Sequence, residues 1–233
     1  MRLCLAAAVV LCLAEPAAAV ARPPVDFSFR FDTGKPGRPA DARLHILYKD
    51  PQNPDDPEGR SPALTRVAIA APRGTVFDGG AVPACAASNA ELMLLGQAGC
   101  PDASNVGGGS GSVVNSEGPP QEPFVADVTL FNYGEGIVEL LEFDGNVKAA
   151  DRARFVGRSK MVLHPAVVPG ITEREFNFTY EGRPREAGGA ALITTPRRCP
   201  RSGVWVSRLT YTVTTGATYA ARSTMRCRRT RVR

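Results

Sequence analysis

Alternating apolar and polar residues cover most of the chain and predict β-strands. The segment VDFSFRF (25–31) has an apolar residue at every second position, and RLHILYK (43–49) and LTRVAIA (64–70) repeat the pattern. This period of two is typical of a strand with one buried face. Seven later segments follow the same rule: FVADVTLFN, GIVELLEFDG, ARFVGRSKMVLH, EREFNFTYEG, AALITT, VWVSRLTYTVTTG and ATYAARSTMRC.

Turn signals between these segments indicate how the strands are connected. Tyr-Gly, Asp-Gly, Glu-Gly, Gly-Gly and Thr-Gly dipeptides separate them at intervals of roughly ten residues, as in antiparallel sheets. The chain has no repeat of fixed period and no low-complexity linker. We therefore predict an all-β fold, an antiparallel β-sandwich of jelly-roll or immunoglobulin-like type, in one domain over residues 22–233.

One short helix interrupts the strand pattern. Ser88 can cap its first turn, Glu91 stands three residues later as in a capping box, and Gly96 would end it. The predicted apolar face consists of Leu92, Met93 and Leu95.

The first 21 residues have the features of a secretory signal peptide. Arg2 precedes an apolar stretch from Leu3 to Ala14, and Ala19-Val20-Ala21 offers a cleavage site. The apolar stretch is shorter than the roughly 20 residues that cross a membrane, and no later segment approaches that length. We therefore expect a secreted, extracellular or cell-envelope protein without a transmembrane segment.

Four cysteines remain after the predicted cleavage: Cys85, Cys100, Cys199 and Cys227. An even number in an exported chain predicts two structural disulfides, for which three pairings exist. Proximity along the chain favours Cys85 with Cys100 and Cys199 with Cys227. Zinc is the alternative, but the sequence has no CxxC pair, and both histidines are distant from the cysteines.

Charge indicates a modestly basic surface. The formal net charge is +5, which is too small for its length to suggest a nucleic-acid-binding protein. Arginines are concentrated in the C-terminal tail RCRRTRVR (226–233). Such a tail could attach to an anionic cell-wall polymer, or it could simply keep the terminus soluble.

Residues that could perform catalysis are few. The two histidines, His45 and His164, lie on or at the end of predicted strands, and no GxSxG motif provides a serine nucleophile. Two acidic pairs, Glu139 with Glu142 and Glu173 with Glu175, could serve a glycosidase, but we interpret them as solvent-facing charges. We predict no catalytic residue.

Cofactor and metal sites are also not predicted. The glycine-rich segment SNVGGGSGSVVNSEGPP lacks both GxGxxG and a Lys-Ser/Thr pair, so a glycine-rich strand is favoured over a phosphate-binding loop. The loop KDPQNPDDPEGRSP offers the oxygen ligands of Asp50, Asn53, Asp55, Asp56 and Glu58, but its spacing is not that of an EF-hand. A solvated loop is the preferred interpretation.

Four segments resemble a group of exported actinobacterial proteins of unknown function. They are AAPRGTVFD (70–78), VPAC (82–85), CPDASNVGGGS (100–110) and TPRRCP followed by Trp205. They match, in order, a Pro-x-Gly turn, an FPxC-like segment, a C-P-x-x-S-x-x-G-x-G segment and a C-terminal C-P…W…C hairpin. The resemblance implies secretion and a β-rich fold, and it implies no activity.

These observations favour a secreted, non-enzymatic binding or structural protein whose partner is a wall polymer or a surface protein. The alternative is a secreted hydrolase of sandwich or jelly-roll type that acts on a polysaccharide or an ester. A cleft with two carboxylates 5 to 10 Å apart would favour the hydrolase. The sequence gives no indication of oligomeric state.

Overall fold

Strands make up most of the structure, a computed structural model that describes residues 24–53, 60–115, 123–184, 186 and 188–228. The signal peptide (1–21), Asp55, Asp56 and Glu58 of the acidic loop, and tail residues 229–233 lie outside the described residues. The described part confirms an all-β fold with one short helix, α1 (Asn89–Leu95), and three 3-10 turns (Gly79–Ala81, Gly96–Gly99 and Asp102–Ser104). The strands are β1 (Val25–Phe31), β2 (Ala42–Tyr48), β3 (Leu64–Ala70), β4 (Val76–Phe77), β5 (Asn105–Asn115), β6 (Phe124–Asn132), β7 (Gly136–Phe143), β8 (Asn146–Val156), β9 (Lys160–Leu163), β10 (Ile171–Tyr180), β11 (Ile193–Thr194), β12 (Val204–Val213) and β13 (Thr218–Arg226).

Eleven of these strands form one antiparallel sheet. Their order is β1-β2-β10-β5-β6-β7-β8-β9-β3-β12-β13, and the short strands β4 and β11 pair separately. Strands β5 to β9 are neighbours in sequence and in space, as consecutive hairpins require. By contrast, β10 inserts between β2 and β5, and β3 inserts between β9 and β12, so segments distant in sequence are paired on either side of the β5–β9 meander.

The two edges of the large sheet lie beside each other. Strand β1 lies next to β13, and the amide of Phe29 donates a hydrogen bond to Ser223 Oγ at 3.2 Å. Just beyond the strands, the amide of Arg228 donates to the carbonyl of Gly34 at 2.8 Å. The sheet is therefore nearly barrel-like, with an inner and an outer face. This arrangement confirms the antiparallel prediction but does not confirm a sandwich of two packed sheets.

The loop that carries α1 is closed by the Cys85–Cys100 disulfide and covers the outer face of β7 and β8. Ser88 and Glu91 form the predicted capping box, and Gly96 ends the helix. Leu92 is buried in a small outer cluster with Val138 and Leu140 of β7 and Ala150 of β8. The rest of the predicted apolar face is wrong: Met93 and Leu95 are exposed, because this two-turn helix contacts the sheet through only one side chain of that set.

The C-terminal hairpin is joined at its open end by the Cys199–Cys227 disulfide, so both bonds follow the favoured local pairing. Trp205 stands opposite Met225 in register, and Leu209 stands opposite Ala221. Trp205, Leu209, Tyr211 and Val213 are all buried on the inner face, as the alternation predicts.

The inner face at this end of the sheet is filled by what we call the aromatic core: Phe29, Phe31 and Trp205. Phe31 lies edge-on to Phe29 at 5.5 Å and to Trp205 at 5.9 Å between ring centroids. Ala221 and Cys227 are buried in the same apolar cluster. Edge-to-face rings at these distances are a favourable packing arrangement, so this end of the interior is closed.

Candidate functional site: an acidic cavity inside the sheet

The other end of the interior contains a cavity of about 550 Å³, which we call the interior cavity. Its walls come from β2, β3, β7, β8, β9 and β10 and are mainly apolar. On β2 the inward row is Leu44, Ile46 and Tyr48. Leu44 and Ile46 face Phe178 and Phe176 of β10 in register, so the alternation predicted from sequence positions these walls.

Two carboxyl groups lie side by side in the cavity wall. Glu139 of β7 and Asp151 of β8 both line the interior cavity and are direct cross-strand partners. Such partners have Cα atoms about 4.5 to 5.5 Å apart and side chains on the same face. Glu139 is only 7% exposed, and the described residues give it no hydrogen bond or salt bridge. A buried carboxyl without a partner is costly, so this position calls for an explanation.

A third carboxyl, Glu173 of β10, reaches the same cavity because of a β-bulge. In register with β5, Glu173 pairs with Val113 and Glu175 pairs with Ser112, which leaves Arg174 as the extra residue. Neighbouring residues of β5 point to opposite faces, so Glu173 and Glu175 do as well. Glu173 lines the cavity and accepts a hydrogen bond from the amide of Leu64 at 3.2 Å.

Burial changes the protonation of all three groups. It raises the pKa of Glu139 to about 8, and the neighbouring Asp151 carboxylate adds to this rise. Burial also raises the pKa of Asp151, opposed by a backbone hydrogen bond from Ala166. Burial also raises the pKa of Glu173, while hydrogen bonds from its own amide and from the Leu64 amide lower it. Glu139 is thus a neutral acid at pH 7, beside groups that also resist ionisation.

Tyr48 adds a hydroxyl without a partner to this acidic wall. Its side chain is 2% exposed and lines the interior cavity, and its Oη has no hydrogen-bond partner in the described structure. Burial raises the pKa of Tyr48 well above its usual value, and the charges of Glu173 and Glu139 contribute to the rise. A buried phenol normally finds a hydrogen-bond partner, so the Tyr48 hydroxyl is an unusual feature of this wall.

The mouth of the cavity is also apolar. Phe124 at the start of β6, Val168 in the β9–β10 loop and Ile171 at the start of β10 line it and are 55%, 50% and 40% exposed. Val125 and Val167, beside them in sequence, are exposed too. Clustered exposed apolar side chains commonly mark sites of interaction.

The two acidic pairs named from the sequence are split by the fold. Glu139 faces the cavity, whereas Glu142 faces outward and accepts a hydrogen bond from Gln97. Glu175 lies on the outer face, 3.1 Å from Nε2 of His45. The interpretation as solvent-facing charges is therefore wrong for Glu139 and Glu173, which are the cavity-facing members.

Asp151 was not among the sequence candidates. A signal for it exists, since Asp151 occupies the inward row that also contains Ala149, Ala153 and Phe155.

His164 lies in the β9–β10 loop and is exposed. Residues 105–115 of the glycine-rich segment form strand β5, as predicted, with backbone so close to β10 that a Cβ on Gly109 would meet the carbonyl oxygen of Asn177 at 1.8 Å, and residues 116–120 lie outside the described residues.

Two other kinds of feature are absent from the described residues. Within the described residues, no group of three or more His, Cys, Asp or Glu side chains has the arrangement of a metal site. The same residues include no helix with the length and apolar character needed to cross a membrane.

Comparison with protein-family models, with curated proteins and with solved structures finds no match. Function must therefore be inferred from the geometry of the interior cavity.

Proposed function

We propose that this chain is an exported, non-enzymatic binding protein that holds a small, largely apolar molecule in the interior cavity. The observation that carries the proposal is the cavity itself. Its volume of about 550 Å³ lies within the roughly 300 to 1,000 Å³ of small-molecule sites. Apolar walls with a few convergent polar groups are the usual composition of such sites.

A cavity of this size is unusual for a structural core. Protein interiors pack as densely as organic crystals, and voids that remain cost stability because their walls lose contacts. The aromatic core shows that the same sheet can fill its interior with side chains. Maintaining a cavity at the other end is most simply explained by a ligand that occupies it.

The exposed apolar side chains at the mouth support an apolar ligand. Three apolar side chains line the cavity and are also exposed to solvent: Phe124, Val168 and Ile171. A ligand that passes between them exchanges water for apolar surface before it reaches the interior, which favours entry of apolar molecules.

Fluorescence titration of the mature protein with the neutral apolar probe N-phenyl-1-naphthylamine tests the proposal. We expect saturable binding of about one probe per chain. Ala153→Phe, which adds a ring to the buried cavity wall, should abolish it, while Ala220→Phe on the exposed face of β13 should leave it unchanged. Absence of saturable binding by the wild type, or equal binding by Ala153→Phe, would overturn the proposal.

One observation favours a second candidate, a hydrolase. Glu139 and Asp151 place an acid with a pKa of about 8 beside a second carboxyl, and such a pair can divide the roles of general acid and base or nucleophile. The apolar walls suit an ester better than a polysaccharide. Hydrolysis of p-nitrophenyl esters or glycosides by the wild type, lost in both Glu139→Gln and Asp151→Asn, would establish this candidate. No turnover in the wild type would eliminate it for these substrates.

Export and cell-envelope attachment belong to the same proposal. The two disulfides are compatible with an oxidising compartment outside the cytoplasm. Arg226 and Arg228 begin the arginine-rich tail, which we propose contacts an anionic wall polymer. Retention of the mature protein on purified cell-wall fractions should fall as salt rises, and a protein that lacks residues 229–233 should be retained less. Equal retention of the two proteins would contradict attachment through the tail.

A further inference from the structure

We infer that the ligand of the interior cavity is a lipophilic cation, with an apolar body and one protonated amine held against Glu139, Asp151 and Glu173. This inference rests on the proposed function, because it specifies which class of apolar molecule the cavity binds.

The charges that line the cavity point to a cation. Three carboxyl groups come from three strands, and the remaining titratable groups that line it, Tyr48, Tyr180 and Asp144 at the mouth, are also acids. No lysine, arginine or histidine is among the described residues that line the cavity, and no basic group contributes to the shifted pKa of any of the three carboxyls. Buried carboxylates are stable when a cation pairs with them, and within the described residues the protein supplies none.

Glu139 provides the matching polar group on the protein. It lines the cavity, is only 7% exposed, and has no hydrogen bond or salt bridge to other described residues. Its cross-strand partner Asp151 places a second carboxyl beside it in the same wall. An ammonium group has three N–H donors and no acceptor, which matches a site composed of carboxylate oxygens.

The surrounding walls discriminate among cations. Calcium and magnesium require about six or more oxygen ligands, whereas most of this cavity consists of leucine, isoleucine, valine and phenylalanine side chains. A fatty acid would match the walls, but its carboxylate would lie among three others. An amine with an apolar body satisfies both the walls and the acidic groups.

Binding of an amine should release protons from the protein. Glu139, with a pKa of about 8, is protonated at pH 7 in the free protein, and an adjacent ammonium favours its ionised form. An alkyl ammonium, like the lysine side chain with a pKa of about 10.4, stays charged over this range. Affinity should therefore rise from pH 6 to pH 8, as Glu139 ionises more readily.

Isothermal titration calorimetry with decylamine, decanol and decanoate, which share one apolar chain, tests the inference. At pH 7.5 we expect decylamine to bind at least about tenfold more tightly than decanol, and decanoate to bind most weakly. Titrations in phosphate and in Tris, whose ionisation enthalpies differ, should detect proton release with decylamine and none with decanol.

Matched variants separate this inference from the proposed function. Glu139→Gln and Asp151→Asn should each reduce the preference for decylamine over decanol, whereas Glu142→Gln, on the outer face of the same strand, should retain it. Equal affinity for decylamine and decanol would overturn the cationic ligand and leave the apolar-binding function standing. No binding of any of the three ligands would count against both.

Discussion

The two ends of the sheet interior differ in what fills them. At one end the rings of Phe29, Phe31 and Trp205 pack edge to face, and the Cys199–Cys227 disulfide lies beside them. At the other end the same alternation of strand residues leaves a cavity of about 550 Å³ with three carboxyl groups in its wall. One sheet thus combines a closed core, which maintains the fold, with an acidic cavity suited to a ligand.

This difference does not arise from backbone geometry alone. Strands β1 and β2 pair in register along their full length, yet β1 presents Phe29 and Phe31 to the aromatic core while β2 presents Leu44, Ile46 and Tyr48 to the cavity. The choice of side chain at inward positions determines which part of the interior is filled. Stability and binding should therefore depend on different inward-facing residues.

The largest expected effect comes from truncating two buried leucines, one outside the cavity wall and one in it. Leu209→Ala removes a fully buried side chain that does not line the cavity, so we expect a loss of about 3 to 5 kcal/mol in the free energy of unfolding. Leu141→Ala removes a side chain that faces the cavity, and a side chain beside a void lacks packing partners on that side, so a loss of about 1 to 2 kcal/mol is expected. Urea denaturation at constant m-value measures both. Equal losses would show that the cavity wall is packed as tightly as the rest of the interior.

The next effect is the pH dependence of stability. The folded-state pKa of Glu139 is about 8, above its unfolded value near 4.5, so the folded state binds the extra proton between these limits. Stability should fall as pH rises from about 4.5 to about 8, by on the order of 2 to 4 kcal/mol from this group. Asp151 and Glu173, whose pKa values are also raised, act in the same direction.

Glu139→Gln, which keeps the neutral form, should reduce that fall without abolishing it. Denaturation midpoints measured from pH 4 to pH 9 check this, with Glu142→Gln as the outward-facing control on the same strand. An identical pH profile in wild type and Glu139→Gln would contradict the burial of this acid.

The smallest effect concerns the place where the two sheet edges meet. Ser223→Ala removes the hydroxyl that accepts a hydrogen bond from the Phe29 amide, and we expect a loss of about 1 kcal/mol. Hydrogen exchange of the Phe29 amide should accelerate, while Thr224→Ala, on the exposed side of β13, should leave it unchanged. Unchanged exchange in Ser223→Ala would mean that this contact does not hold the edges together.

Local features of the fold were predictable from the sequence, and long-range features were not. The strands, the capped helix, the C-terminal hairpin and the two disulfides follow from patterns within about 30 residues. The insertion of β10 between β2 and β5, and the meeting of β1 with β13, depend on contacts between distant segments. Turn signals and alternation do not encode that order, so they predict an antiparallel all-β fold without distinguishing a sandwich from a nearly barrel-like sheet.

The candidate site was likewise only partly predictable from the sequence, because it depends on contacts between distant segments. Glu139 belongs to the run IVELL, in which every residue is buried, because the outer face of β7 is covered by the loop carrying α1. Period-two alternation therefore could not assign it to the inner face. Asp151 could have been assigned from its row, but a lone aspartate among alanines and arginines resembles an ordinary surface residue.

The bulge at Arg174 has a consequence for recognising relatives of this protein. One inserted residue exchanges inner and outer positions along the rest of β10, so an alignment without a gap there would match cavity residues of one chain with surface residues of another. A suitable search pattern is an acid directly before the insertion, with aromatic residues two, four and six positions after it, as in Glu173, Phe176, Phe178 and Tyr180. Chains that keep this spacing would be expected to share the acidic cavity even where their overall sequence identity is low.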